Sequence, residues 1–124
     1  MRVKTIPIFC EDDEECVSIL IRFGMKRPVA RTLVYLLNIK DGTMQEIESC
    51  TGLNEPEVST ALKYLEEQGF VRVSAKPPEG KGRVLKYFSL ALPAGKILEI
   101  IADGKIAEIE NQISLIRKVR TFVA

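Results

Sequence analysis

The 124-residue sequence contains no histidine and no tryptophan. Without histidine there is no imidazole general base, no catalytic triad and no Cys/His zinc finger. Cysteine is scarce, and its three copies, Cys10, Cys16 and Cys50, are too scattered for a disulfide framework. Their odd number fits a reducing compartment. No apolar run reaches the roughly 18 residues of a membrane span. The N-terminus lacks the apolar core of a signal peptide, and five acids fill residues 11–15. A cytoplasmic protein away from membranes is expected. No paired carboxylates, metal cluster or phosphate-binding glycine loop has catalytic spacing, and Gly80-Lys81-Gly82 alone is a weak match to any motif. Neither an enzyme nor a cofactor is expected.

What is present is ordinary in bulk, with 46% hydrophobic and 28% charged residues and a net charge of +1. The length suits one domain, expected to span residues 1–124 with a core over about 26–92 and a C-terminal helix over about 93–122. Such a chain buries roughly two-thirds of its unfolded surface and needs no staples. The distribution of charge says more than the total. Residues 1–25 net −2, residues 26–92 net +2 and residues 93–124 net +1.

Apolar periodicity places the elements. Residues 12–23 predict a first helix, with acids at its N-terminus and Cys16, Ile19, Leu20 and Phe23 as its apolar stripe. Residues 27–38 predict a second, with Leu33, Leu36 and Leu37 in its stripe and Asp41-Gly42 closing it. Thr43 and Glu46 then have the capping-box form and open a short helix over residues 44–50 that buries Ile47. Thr51-Gly52-Leu53 makes a turn in which Gly52 takes positive φ. Asn54 caps the next helix, Pro56 fits its first turn, and Gly69 stops it after Gln68. Two helices about a glycine turn form a helix-turn-helix.

Beyond Gly69 the period shortens. Residues 70–74 alternate like a half-buried strand, residues 76–82 form a Gly/Pro loop, and residues 83–90 are β-rich again. Together they predict a hairpin. Pro93 opens a last helix reaching about residue 122, and Asp103-Gly104 is a place where it could bend. Ile106, Ile109, Ile113 and Ile116 follow the rhythm of a helix seam, with Ala102 one step earlier. About 28 residues make a rod of about 40 Å, longer than so small a core requires. The seam either folds back on its own domain or pairs with a second copy; the surplus length favours a homodimer.

The order of elements resembles the winged helix-turn-helix transcriptional regulators of prokaryotes. The likeness is nearest to the TrmB-type DNA-binding domain, with MarR and ArsR types close behind. It rests on Glu46-Ile47 through Thr51-Gly52-Leu53, on the run from Val58 to Val71, and on Gly82-Arg83 before Tyr87-Phe88. It covers about residues 27–90. The fold it implies is α+β, mostly α: a winged helix-turn-helix domain with a long C-terminal dimerisation helix. The ArsR cysteine pair is missing, since Cys50 stands alone before the recognition helix, and a TrmB-type sugar-binding domain is not expected. No effector ligand carries over from the family.

Which residues would hold DNA follows from helical geometry. With Val58, Leu62 and Leu65 inward, Pro56, Thr60, Lys63 and Glu67 point outward and Ser59 and Tyr64 flank them. Thr43, Asn54, Pro56, Ser59, Thr60 and Lys63 are the candidate contacts of the helix-turn-helix, and Lys76, Lys81 and Arg83 those of the wing. Residues 54–69 net −3, which repels phosphate, whereas residues 70–88 net +4. Glu55 and Glu57 serve the helix dipole or accept from a cytosine amino group. Lys26, Arg27 and Arg31 form a second basic cluster, facing DNA or simply solvent. Tyr64, Tyr87 and Phe88 are expected to pack in the core and hairpin, and the thiols to be buried or idle. A sequence-specific, double-stranded DNA-binding regulator acting as a homodimer is the expectation. A winged-helix protein-interaction module is the alternative, favoured by the acidic recognition helix.

Overall fold

The computed structural model describes residues 9–76, 82 and 84–123. In order these form α1 (Glu11–Arg22), α2 (Arg27–Asn38), α3 (Met44–Thr51), α4 (Glu55–Glu67), β1 (Val71–Lys76), β2 (Leu85–Leu90) and α5 (Ala94–Val123). The chain divides into two compact units, Met1–Leu92 and Pro93–Ala124.

In the first unit α2 is the central element and packs against α1, α3, α4 and β2. Every residue from Val29 to Leu36 is buried, whereas Leu37 is only half-buried. Ile47 from α3, Val58, Ala61, Leu62 and Leu65 from α4, and Phe88 from β2 complete the core. β1 and β2 pair antiparallel from Val71↔Leu90 to Lys76↔Leu85.

Gly42 adds a single bridge to Phe88, donating to its carbonyl at 3.0 Å and accepting from its amide at 2.8 Å. A Cβ at Gly42 would stand 2.7 Å from the Tyr35 hydroxyl oxygen. The glycine is there so that the backbone can run against a buried ring. α2 ends at Asn38 as its periodicity predicts, with Ile39 already extended, so Gly42 serves this contact rather than the helix stop.

The stripe expected on α1 is shifted. Val17 and Leu20 are buried, while Cys16, Ile19 and Phe23 are exposed. α1 packs chiefly against α2, and a single helical neighbour covers only a narrow strip. β1 does not alternate as expected either: only Val71 is buried, and Val73 is exposed. Phe70 is buried ahead of the strand because its amide bonds the Leu65 carbonyl at 3.0 Å, closing α4 in a Schellman turn with Gly69 at φ 79°.

The second unit is the 30-residue helix α5, which continues through Asp103-Gly104. Ile97 is buried. Ile106, Ile109, Ile113 and Ile116 are all exposed, as are Leu115, Val119 and Phe122.

Candidate nucleic-acid interface

Both helices of the helix-turn-helix begin in reciprocal caps. The Glu46 amide donates to Thr43 Oγ1 at 3.2 Å and the Thr43 amide to Glu46 Oε1 at 2.9 Å. At α4 the Glu57 amide donates to Asn54 Oδ1 at 3.0 Å and the Asn54 amide to Glu57 Oε1 at 3.1 Å. Each pair satisfies two amides that a helix start otherwise leaves open. Glu57 is therefore committed to its own helix. Thr43 and Asn54 are caps first; the hydroxyl hydrogen of one and the Nδ2 amide of the other are not used in these caps.

Between the two helices Gly52 holds φ 74°, the left-handed region expected for it. That turn presents α4 with Val58, Ala61, Leu62 and Leu65 inward. Pro56, Ser59, Thr60, Lys63 and Glu67 are exposed, as the helical spacing required. Lys63 forms no ion pair with the described residues. Tyr64, expected to pack, is 46% exposed and belongs to the same outer surface. At 100° per residue it stands on the helix flank, off the arc of inward Ala61 and Leu65.

The starts of α3 and α4 border a cleft of about 440 Å³ together with β2, and Thr43, Glu48, Glu55 and Lys86 line it. Lys76 lies elsewhere, in a groove of about 730 Å³ between the end of α2 and the hairpin, beside Lys40 and Arg72. Its ammonium is partly engaged, 3.7 Å from Asp41 Oδ2 and 4.5 Å over the Tyr87 ring. Lys81 and Arg83 fall outside the described residues.

The expected basic cluster of Lys26, Arg27 and Arg31 is not one surface. Lys26 and Arg27 are exposed, whereas Arg31 is buried. It is held by Glu14 and by the Thr51 carbonyl, so its charge is spent inside. An arginine amid an apolar helical run (Val29-Ala30-Arg31-Thr32-Leu33) was the signal available for that role.

Cys10 and Cys16 are exposed and Cys50 is half-buried. Burial pushes the Cys50 thiol above its ordinary pKa, Asp13 adds to the rise, and Arg31 opposes it. Among the described residues no cluster of cysteines and carboxylates could hold a metal ion. No helix there is long and apolar enough to cross a membrane.

The sequence model of the MarR family matches residues 23–83, which runs from the end of α1 through the helix-turn-helix into the hairpin. No curated protein matches by sequence. Among solved structures, that of TrmBL2, an archaeal chromatin protein with a novel mode of DNA binding, is similar at TM-score 0.67 and 18% identity. The alignment covers 90% of this chain and 40% of TrmBL2, so the chain spans well under half of that protein. A possible transcriptional regulator from Methanosarcina mazei Go1 aligns at TM-score 0.61 and 15% identity, over 87% of this chain and 85% of its own. MepR, a transcription regulator of the Staphylococcus aureus multidrug efflux pump MepA, aligns at 0.51 and 19%, over 84% and 75%. The fold is the winged helix, and the chain resembles the transcriptional regulators of the MarR and TrmB kinds.

Proposed function

We propose that this MarR-like winged-helix chain is a sequence-specific, double-stranded DNA-binding transcriptional regulator that acts as a homodimer in the cytoplasm. The observation that carries the reading is the outer face of α4. Pro56, Ser59, Thr60 and Lys63 are exposed on one side of a capped helix whose other side is core. A helix of that form fits the major groove, where serine and threonine hydroxyls pair with either base and a lysine reaches guanine or phosphate. Thr43 and Asn54, at the starts of α3 and α4, contribute a hydroxyl and an amide. Lys76, Lys81 and Arg83 supply the phosphate contacts of the wing and offset the net negative charge of α4.

Homodimerisation is supported by α5. Ile106, Ile109, Ile113 and Ile116 repeat every three or four residues and remain exposed. An apolar seam of that length in water is stabilised by a second copy, and two-fold pairing is the commonest closed solution.

A protein-interaction module is the second reading. Exposed Glu55, Glu66 and Glu67 surround Lys63 on α4, a face better suited to a basic protein than to phosphate. Selection from a random duplex library separates the two. The regulator enriches a near-palindrome with half-sites about one helical turn apart. A library that emerges unenriched after several rounds supports the protein module.

A further inference from the structure

A buried guanidinium joins the first helix to the turn ahead of α4. Only 9% of the Arg31 side chain is exposed, against 51% for Glu14. Arg31 Nη1 donates to Glu14 Oε2 of α1 at 2.9 Å, and Nε donates to the Thr51 carbonyl at 2.8 Å. The Phe9 ring covers it, with the centroid 4.8 Å from Cζ. Thr51 is the last residue of α3 and fully enclosed. Its carbonyl lies in the final helical turn, where no later helical amide takes it up, and a cation there also meets the negative end of the helix dipole. The Thr51 hydroxyl is committed too, donating to the Ile47 carbonyl at 2.6 Å and accepting from the Leu53 amide at 3.3 Å. Left-handed Gly52 and the Asn54 cap follow directly. Thr51, held in part by Arg31, thus stands directly ahead of the turn from which α4 leaves.

A buried cation needs its counterion, and the counterion comes from a different helix. Without its partner the Arg31 charge is left desolvated unless it moves toward water. We infer that Arg31 is a positioning residue coupling the docking of α1 to the setting of α4, so that any event that displaces α1 weakens DNA binding by α4. When Glu14 withdraws, the guanidinium turns toward water, releases the Thr51 carbonyl and frees the turn. The coupling is reciprocal, and a duplex that fixes α4 tightens α1. The coupling itself stands on the geometry; its consequence for affinity rests on the DNA-binding reading above.

The full chain carrying Glu14→Gln or Arg31→Lys tests this, with Glu15→Gln on the exposed side of α1 as control. Glu14→Gln keeps an acceptor but loses the charge; Arg31→Lys keeps the charge but cannot hold both acceptors. Amide hydrogen exchange at Gly52 and Leu53 should quicken about five- to tenfold relative to α2 amides in both variants, and not in the control. Anisotropy titrations with a duplex from upstream of its gene and a random duplex supply the second readout. Loss of an acidic charge should by simple electrostatics strengthen DNA binding. The coupling predicts the opposite for Glu14→Gln: affinity for the upstream duplex falls about fivefold while that for random DNA does not. Unchanged turn exchange, or exchange that quickens uniformly along the chain, overturns the coupling. Faster turn exchange with undiminished affinity for the upstream duplex overturns its link to α4. If the unmodified protein ignores both duplexes while the turn amides still respond, the DNA-binding reading fails and the coupling stands.

Discussion

Ser59 and Thr60 sit side by side on the outer face of α4, with no core contact to lose. Their joint replacement by alanine should leave thermal stability within about 0.5 kcal/mol, as surface changes usually do. It should also lower the preference for the selected site over random DNA by about 1–3 kcal/mol. Competition binding checks this, and an unchanged preference removes these two from base reading. Cys50 makes a different kind of statement. Its thiol is half-buried and its pKa is raised by desolvation and by Asp13, so less thiolate is present at any given pH. Iodoacetamide at pH 8 should label exposed Cys10 and Cys16 before Cys50, with the Cys50 rate climbing as pH rises further. Peptide mapping over time reads the order; simultaneous labelling of all three contradicts it.

At the scale of elements, Gly42 ties the strand-like end of the α2–α3 connection to β2. Gly42→Ala forces a methyl against the Tyr35 ring, which is 1% exposed, so the ring or the backbone must shift. The expected loss is about 1–3 kcal/mol, measured by urea unfolding. A loss within error would mean that Tyr35 is free to move. This contact was not readable from the sequence, where Asp41-Gly42 looks like any helix stop; a bridge to Phe88, 46 residues on, is a tertiary fact. The capping boxes at Thr43 and Asn54, the positive φ of Gly52 and the inward face of α4 were readable because each is set by neighbours within one or two turns. The stripe of α1 and the burial along β1 were not, since how many neighbours cover a face depends on packing. Arg31 was misread for the same reason. A charge looks like surface until Glu14 and Thr51 are brought around it.

For the whole molecule, the proposed homodimer stands or falls on the isoleucine seam of α5, which is exposed in the single chain. Ile109→Glu with Ile113→Glu places two charges in that seam. Helical content should persist while sedimentation shifts from dimer to monomer at micromolar concentration. Affinity for the selected DNA site should fall by an order of magnitude or more, because two linked half-site readers act at high effective concentration. A single monomeric species of the unmodified protein would sink the dimer. It would leave the winged-helix fold untouched.

Whether the chain holds double-stranded DNA, and by sequence, is decided by a salt series. Binding to the duplex upstream of its own gene is compared with binding to a random duplex of equal length across potassium chloride concentrations. Tighter binding to the upstream DNA is expected, with a log–log fall in affinity of slope about −4 or steeper. Lys81→Ala with Arg83→Ala should make that slope shallower for both duplexes alike, since phosphates carry no sequence. No binding to either duplex at low salt, or binding with a flat salt response, would contradict the account.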